Sequence, residues 1–502
     1  MSGTARTVAL TAAAILGASA PLAAQMATPA HGGSEAAAAA AASITPQDLS
    51  LHLGVLAHDS MRGRDTPSPE LMATARYVAD RFAAAGLAPG AGDSFLQMYP
   101  ISTVRPGAAE AQRLELIGPS GTVALAPGDE WFPMHDAASA AGEGALVAVD
   151  PAAAAPAELA GRVAVVRADA SNLRQVLGGG LAAALRDADP AGVLVVLDMP
   201  EAFFARLRGF LSGSRATLGD LPEEGPPAAF VAASALPADL AAALDAPADL
   251  AGWSASLASE AAVSVVEAPN TVGILEGSDP ELRDEYVLFT AHMDHVGVGS
   301  PVDGDSIYNG ADDNASGTVT IVELAEAFAA LPERPRRSLV FATVSGEEKG
   351  LLGSRWYAEN PAVPLSRTVA NLNLDMVGRN WTDTIVAIGK EESSLGPLVE
   401  RVAAAHAELG MAVIDDRWPE ENFYSRSDHF NFARRGVPIL FFFNGTHEDY
   451  HRPSDEPEKI GYEKMARIGR LLFWVGLEVA NADEPPAWDP EARERIVDLP
   501  AG

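Results

Sequence analysis

From Asn270 onward, apolar runs of strand length alternate with segments of helical spacing. YVLFTA (286–291), SLVFATVS (338–345), TVANLNLD (368–375) and GVPILFFF (436–443) are the runs. VELAEAFAAL, LLGSRWYAEN, LGPLVERVAAAHAEL and KMARIGRLLFWVGLEVA lie among them and after them. Near-continuous apolar strands separated by helices cannot expose a face to water, and they are joined by crossovers. The pattern therefore predicts an α/β fold with a mixed, mostly parallel sheet flanked by helices. In such sheets ligands bind beyond the carboxyl ends of the strands.

The chemistry-bearing residues fall at those ends. His292 and Asp294 follow the first run in HMDHVGVG. Asp312 and Asp313 lie in YNGADDNASG, Glu347 and Glu348 in VSGEEKG, Asp375 ends LNLDM, and His451 lies in DYHRPSD. Any one of them could be a hydrogen-bonded loop residue or a helix cap. Five strand ends carrying the same kind of residue point instead to a metal centre. The chain has no cysteine, so a metal would have to be held by His, Asp and Glu. Two imidazoles and three carboxylates, one of them shared, suit two zinc ions about 3.5–4 Å apart. Asp313, in a loop flanked by Gly and Ala, is the candidate bridge. Of the adjacent Glu pair, one can bind metal while its neighbour serves as general base toward a water whose pKa the metals lower.

AHMDH, GADDNASG, SGEEKGLLGS, LNLDMVG, SRSDH and DYHRPSD resemble, in order and spacing, the di-zinc aminopeptidase family. That family includes bacterial leucyl aminopeptidases, aminopeptidase Y and glutamate carboxypeptidase II. The resemblance is strong over 270–480 and weak over 45–105, through LAHDSMRGRDTPSPE and AAAGL. It implies two zinc ions per chain, with His292 and Asp375 on one, Glu348 and His451 on the other, and Asp313 between them. It implies Glu347 as the base, Asp294 orienting His292, Tyr450 and Tyr424 as candidate oxyanion stabilisers, and Arg426 as a substrate contact. His295 has no role in it and reads as a loop residue. His429 reads as a structural hydrogen-bonding residue, and His447 as a weaker competitor of His451. The implied activity is hydrolysis of N-terminal residues from peptides by a metal-bridging water. A carboxypeptidase, a glutaminyl cyclase or a non-catalytic receptor-like ectodomain on the same fold are the alternatives.

Between about 115 and 265 the pattern is different: short strand-like runs such as GALVAVD, RVAVVRA and AGVLVVLD alternate with Pro-, Ala- and Gly-rich connectors. GRVAVVRADA followed by AGVLVVLD resembles the protease-associated (PA) domain that members of the family carry at this point. The predicted division is a signal peptide at 1–24, a low-complexity linker at 25–44, peptidase segments at 45–114 and 266–485 around the 115–265 insert, and a tail at 486–502. Arg6, the run VALTAAAILGASA and the small residues of PLAAQ predict export with cleavage near Ala24, to the periplasm or outside the cell. Against 68 Asp and Glu there are only 35 Lys and Arg, a net charge of −33. Such a polyanion repels nucleic acid and anionic lipid, so the expected partners are peptide or protein N-termini, and neither nucleic acid nor, for the mature chain, a membrane.

Overall fold

The structure is a computed structural model that describes residues 34–497 apart from 135–136, 152–158, 178–180, 182–183, 186, 212–214, 222 and 246–249. The export signal expected at 1–24 lies outside the described residues. The expected mixed, mostly parallel sheet is present. Its centre is four parallel strands in the order Ser338–Val344, Tyr286–His292, Thr368–Asp375 and Ile439–Phe443. Antiparallel strands close both sides. Residues 271–275 of the strand Ser254–Leu275 pair with Ser338–Val344, and Thr384–Ile388 pairs with Ile439–Phe443.

Alternation along each strand divides the core between two faces. Val287, Phe289, Leu339 and Phe341 pack on one side, against helices Pro46–Leu56, Pro69–Ala84, Gly317–Ala329 and Tyr462–Asn481. Leu288, Val340 and Phe441 pack on the other, against Leu352–Glu359, His429–Ala433 and Pro490–Ile496. The helix at Pro69 starts as its sequence dictates: Ser68 accepts the Leu71 amide, and proline occupies the first turn. No helix among the described residues is long and apolar enough to cross a membrane.

Two expectations need correction. Of the 25–44 segment expected as a low-complexity linker, 25–33 lie outside the described residues, but Ser34–Ser43 is a helix with Ala37, Ala40 and Ala41 buried in the main core. Alanine has the highest helix propensity, and small side chains on one face let this helix pack closely. Arg470 fixes its exit by donating to the Ile44 carbonyl. The 486–502 tail is likewise structured as far as residue 497. Asp489 caps the helix Pro490–Ile496, whose Ala492 and Ile496 are buried, and the Trp488 indole donates to the Gly436 carbonyl at 2.8 Å.

The unit at about 115–265 has two hydrophobic cores of its own. The 22-residue strand Ser254–Leu275 begins in this unit and ends in the main sheet, passing straight through residue 265, and Leu96–Pro106 runs antiparallel to it over 261–271. This two-stranded ribbon carries Tyr99 and Asn270 to the rim of the site.

Candidate metal centre

The four parallel strands end beside one another, and each delivers polar residues to the same place. His292 and Asp375 are the last residues of their strands. The Asp294 carbonyl accepts from His292 Nδ1 at 3.2 Å, leaving Nε2 free to face Asp375 Oδ1 at 3.3 Å and Asp313 Oδ1 at 3.4 Å. The Asp294 carboxylate itself lies 3.7 Å from Nδ1, too far for a good hydrogen bond. It accepts instead from the Thr66 hydroxyl at 2.9 Å and from the Glu347 amide at 3.3 Å. Asp294 therefore fixes His292 through its main chain and the Glu347 loop through its side chain.

Asp313 lies in the turn Ala311–Ser316 and is joined to Asn314 by a cis peptide. Asp455 holds that turn, its carboxylate accepting the amides of Asp312 and Asp313. The two oxygens of Asp313 face opposite ways. Oδ1 faces His292, while Oδ2 lies 3.2 Å from His451 Nε2. Glu348 Oε2 is 3.1 Å from the same nitrogen. Donor atoms bound at 2.0–2.2 Å to a tetrahedral ion sit roughly 3.3–3.5 Å apart, so these spacings suit two ions sharing Asp313. Two groups of candidate donors share Asp313, His292 with Asp313 and Asp375, and His295 with Asp313, Glu348 and His451, the donor atoms of each group lying within 4.8 Å of one another. Imidazole and carboxylate without thiolate suit zinc and other borderline cations.

Electrostatics tell the same story. Burial, reinforced by Glu348, pushes the Asp313 carboxyl up, and burial holds Glu347 well above the usual carboxyl range. Burial disfavours protonated histidine, yet at His451 it is outweighed by Asp313 and Glu348, which push the imidazole up to about 10. The cluster draws positive charge into itself, and metal binding would replace those protons.

The ribbon and Thr66, just before the helix Pro69–Ala84, place the Glu347–Glu348 segment. Tyr99 donates to the Ser345 carbonyl at 2.9 Å, the Ser345 amide donates to Asn270 Oδ1, and the Gly346 amide donates to Thr66 Oγ1. Glu347 lines a recess walled by Met376, Phe423, Phe441 and Phe443, with His292, Asp313, Asp375, Arg426 and Tyr450 also on its surface. The Tyr450 ring stacks on His451 at 3.9 Å, and burial pushes its phenol up. Arg426 lies half exposed over the Phe423 ring at 4.6 Å, with Glu421 3.5 Å away.

The structure departs from the sequence reading at two site residues. Tyr424 does not reach the recess. It follows Phe423 in a tight turn, so the two rings diverge, and its ring packs edge-on against His429 while its hydroxyl is buried without a partner. His295 is no ordinary loop residue: it is fully buried, with Nδ1 2.8 Å from Glu348 Oε1. His447 and His429 lie outside both donor groups. His447 Nε2 lies 3.2 Å from Asp312 Oδ2, and His429, pushed down to about 3 by burial, is paired with the Tyr424 carbonyl. Asp455 and Arg64 were not singled out from the sequence. Arg64 is wholly buried behind the site and donates to the carbonyls of Leu56, Met293, Asn309 and Gly310.

Carboxylates and imidazoles converging at the carboxyl edge of an α/β sheet, with a buried glutamate beside them, define a candidate metal centre as the class of site. Residues 270–475 match peptidase family M28, and this segment is a peptidase family M28 domain. Aminopeptidase YwaD of Bacillus subtilis (strain 168) is 28% identical over 225 residues, 43% of this chain and 46% of its own. A probable leucine aminopeptidase of Arthroderma benhamiae is 28% identical over 211 residues, 40% of this chain and 56% of its own. The chain thus spans about half the length of these curated relatives. Among solved structures, the aminopeptidase from Aneurinibacillus sp. strain AM-1 shares the fold. Its TM-score is 0.54 over 90% of this chain and 97% of that one, at 18% identity.

Proposed function

We propose that the chain is an exported aminopeptidase that uses two zinc ions to release N-terminal residues from peptides. The observation that carries this reading is the pair of donor groups sharing Asp313, with Glu347 buried beside them on the recess. The names of the relatives, aminopeptidases in both cases, support it. Export rests on the sequence of residues 1–24 alone.

His292 and Asp375 would hold one ion, Glu348 and His451 the other, and Asp313 both. Zinc at such a site polarises a carbonyl and lowers the pKa of water. The remaining steps belong to the chain's own groups. Glu347 accepts the proton of the attacking water and returns it to the leaving amine; a carboxyl held above its usual range by burial suits both transfers. Tyr450 donates to the oxygen that becomes negative. Met376, Phe423, Phe441 and Phe443 receive an apolar N-terminal side chain, and Asp313, Glu347 and Asp375 favour a cationic amine over a carboxylate. Arg426 is the one cation on the recess wall among the described residues, and Glu421 partly neutralises it. A carboxypeptidase would need more positive charge there. The 115–265 unit, a PA-like module, supplies no lining residue of this recess among the described residues; its proposed role is to restrict access to chain ends.

Leucyl and phenylalanyl nitroanilides should be cleaved in the presence of zinc, and their N-acetyl derivatives should not. Equal turnover of blocked and free substrates would sink the aminopeptidase reading. Tyr450→Phe should lower kcat by about 10²-fold, the usual cost of one lost oxyanion donor, with KM nearly unchanged. A Phe variant with parental kcat would remove Tyr450 from the reaction.

A further inference from the structure

We infer that His52, Glu323 and Glu326 form a further divalent-cation site, of zinc type, where the helix Pro46–Leu56 packs on the helix Gly317–Ala329. The site shares no residue with the Asp313 centre and stands independently of the two-ion reading of that centre. Its ion would pin the N-terminal segment of the chain to the helix that leads out of the Asp313 turn.

The first observation is where the donors sit. His52 falls on the buried stripe of its helix, with Leu49, Leu53 and Leu56. Glu323 lies in a helix whose residues 317–325 are all buried. The two side chains belong to residues only 6% and 3% exposed, in positions that are ordinarily apolar. The second is an unpartnered charge. Glu323 Oε1 is buried with no hydrogen-bond partner. It lies 3.4 Å from His52 Nε2, out of line for a hydrogen bond but at the spacing of two donors on one tetrahedral ion, roughly 3.3–3.5 Å. A buried carboxylate oxygen without a donor is costly. Among the described residues, no lysine or arginine forms an ion pair with Glu323 or Glu326; Arg81 stands instead over the Tyr77 ring, 5.8 Å from its centroid.

The third is a second carboxylate in the same place. Glu326 follows Glu323 by one helical turn on the same face, and the donor atoms of all three residues lie within 4.8 Å of one another. Neighbouring carboxylates repel unless a cation lies between them. Burial pushes the Glu323 carboxyl up; His52 opposes that, and Glu326 and Asp48 add to it. Glu326 is half-buried, so the pocket has a way in from solvent and one donor free to swing onto the ion. The fourth is the orientation of the imidazole. His52 Nδ1 is within hydrogen-bond distance of the Tyr77 hydroxyl, and the two rings meet edge to face. With Nδ1 donating to Tyr77 Oη, the Nε2 lone pair is turned toward the carboxylates, and a metal-binding histidine is almost always tied in this way through its other nitrogen. Tyr77 is thus a positioning residue.

One imidazole and two carboxylates, with a water, make a tetrahedral zinc set. Calcium, which takes about six to eight oxygens, does not fit it. Glu323 stands about 9 Å along the helix from Gly317, and the turn Ala311–Ser316 that carries Asp313 runs directly into that helix. The segment pinned by His52 goes on to supply Arg64 and Thr66 to the back of the Asp313 centre.

The test uses zinc as the probe on the full chain. Crystals of the wild type grown with zinc, measured at the zinc absorption edge, should show an anomalous peak among His52, Glu323 and Glu326. In solution, His52→Gln and Glu323→Gln should each retain one zinc per chain fewer than wild type after excess metal is removed. Both should also lose part of the rise in melting temperature that zinc gives the wild type, with kcat on a leucyl nitroanilide unchanged. Peaks at Asp313 with none at His52 would overturn the inference. So would equal zinc content in all three chains, which would reduce the contact to a His–Glu pair and any crystal peak to an adventitious ion only. The wild-type crystals decide the matter even if neither variant folds. A peak at His52 with none at Asp313 would uphold this site and overturn the two-ion reading instead; no zinc at either place would overturn both.

Discussion

Glu347→Gln should lower kcat by roughly 10²- to 10⁴-fold, the usual contribution of a positioned general base. Zinc content and melting profile should stay those of the parent chain. Glu347 belongs to neither donor group, so replacing it removes no metal ligand. Glutamine has nearly the same shape, and the loop around it is held by the main-chain bonds of Gly346 and Glu347 to Thr66 and Asp294. Burial disfavours the charge of this carboxylate, and its neighbours Glu348 and Asp375 disfavour it further. A neutral amide therefore relieves repulsion rather than adding strain. What the amide cannot do is accept a proton. The loss should fall on kcat and kcat/KM alike, with KM for a leucyl nitroanilide little changed. Glu348→Gln is the contrasting control: it alters a donor, so zinc content should fall along with activity. A Glu347→Gln chain with near-parental kcat would leave the site without its base, and a chain that also loses zinc would make Glu347 a ligand.

The site residues could be read from sequence because His292, Glu348 and Asp375 lie at or within a few residues of the end of a continuous apolar run, and Asp313 and His451 lie in the loops that follow such runs. The fold rule for parallel sheets then places them together, as His292, Asp313, Glu348, Asp375 and His451 are in the structure. What could not be read is the direction a side chain takes within a turn. Phe423 and Tyr424 are neighbours, and only the turn Phe423–Ser425 decides which ring meets the recess. His295 follows Asp294 in an irregular segment with no period from which burial could be inferred. The alanine run of 34–43 has a composition shared by disordered and helical segments. The groove offered by Tyr462–Asn481, some 430 residues later, makes it a helix. The groups that hold the site are silent for the same reason. Asp455 binds amides 142 and 143 residues away, and three of the four Arg64 acceptors lie 229 to 246 residues away. Local pattern carries no trace of partners so distant.

Arg64→Met should destabilise the chain by about 3–5 kcal/mol, the range for breaking a buried charged contact by removing one partner. Methionine keeps most of the apolar stem and removes every donor. Four carbonyls then lose a charged partner at once: Leu56 at the end of the helix Pro46–Leu56, Met293 beyond the His292 strand, and Asn309 and Gly310 leading into the Asp313 turn. The guanidinium is therefore the joint at which three segments meet directly behind the metal pocket. Burial pulls its pKa down to about 10, and Asp294, Asp313, Asp455 and Glu348 oppose that pull. At that value Arg64 is still a cation at neutral pH, and it offsets the charge of the carboxylates around it. This sets the condition under which the damage is greatest. In metal-free protein Arg64 adds to the protonated His451 in offsetting that charge, whereas bound zinc would take over that role. The fall in melting temperature should accordingly be larger in chelator than in zinc, and adding zinc to the variant should recover part of the loss. Arg64→Lys should fall between the two, since an ammonium keeps the charge but cannot reach four acceptors in a planar fork. Differential scanning calorimetry of the three chains with and without zinc measures all of this. A methionine variant whose melting overlays the parent's in both conditions would mean that the three segments are joined by packing alone, and a loss that zinc does not reduce would separate Arg64 from the charge of the site.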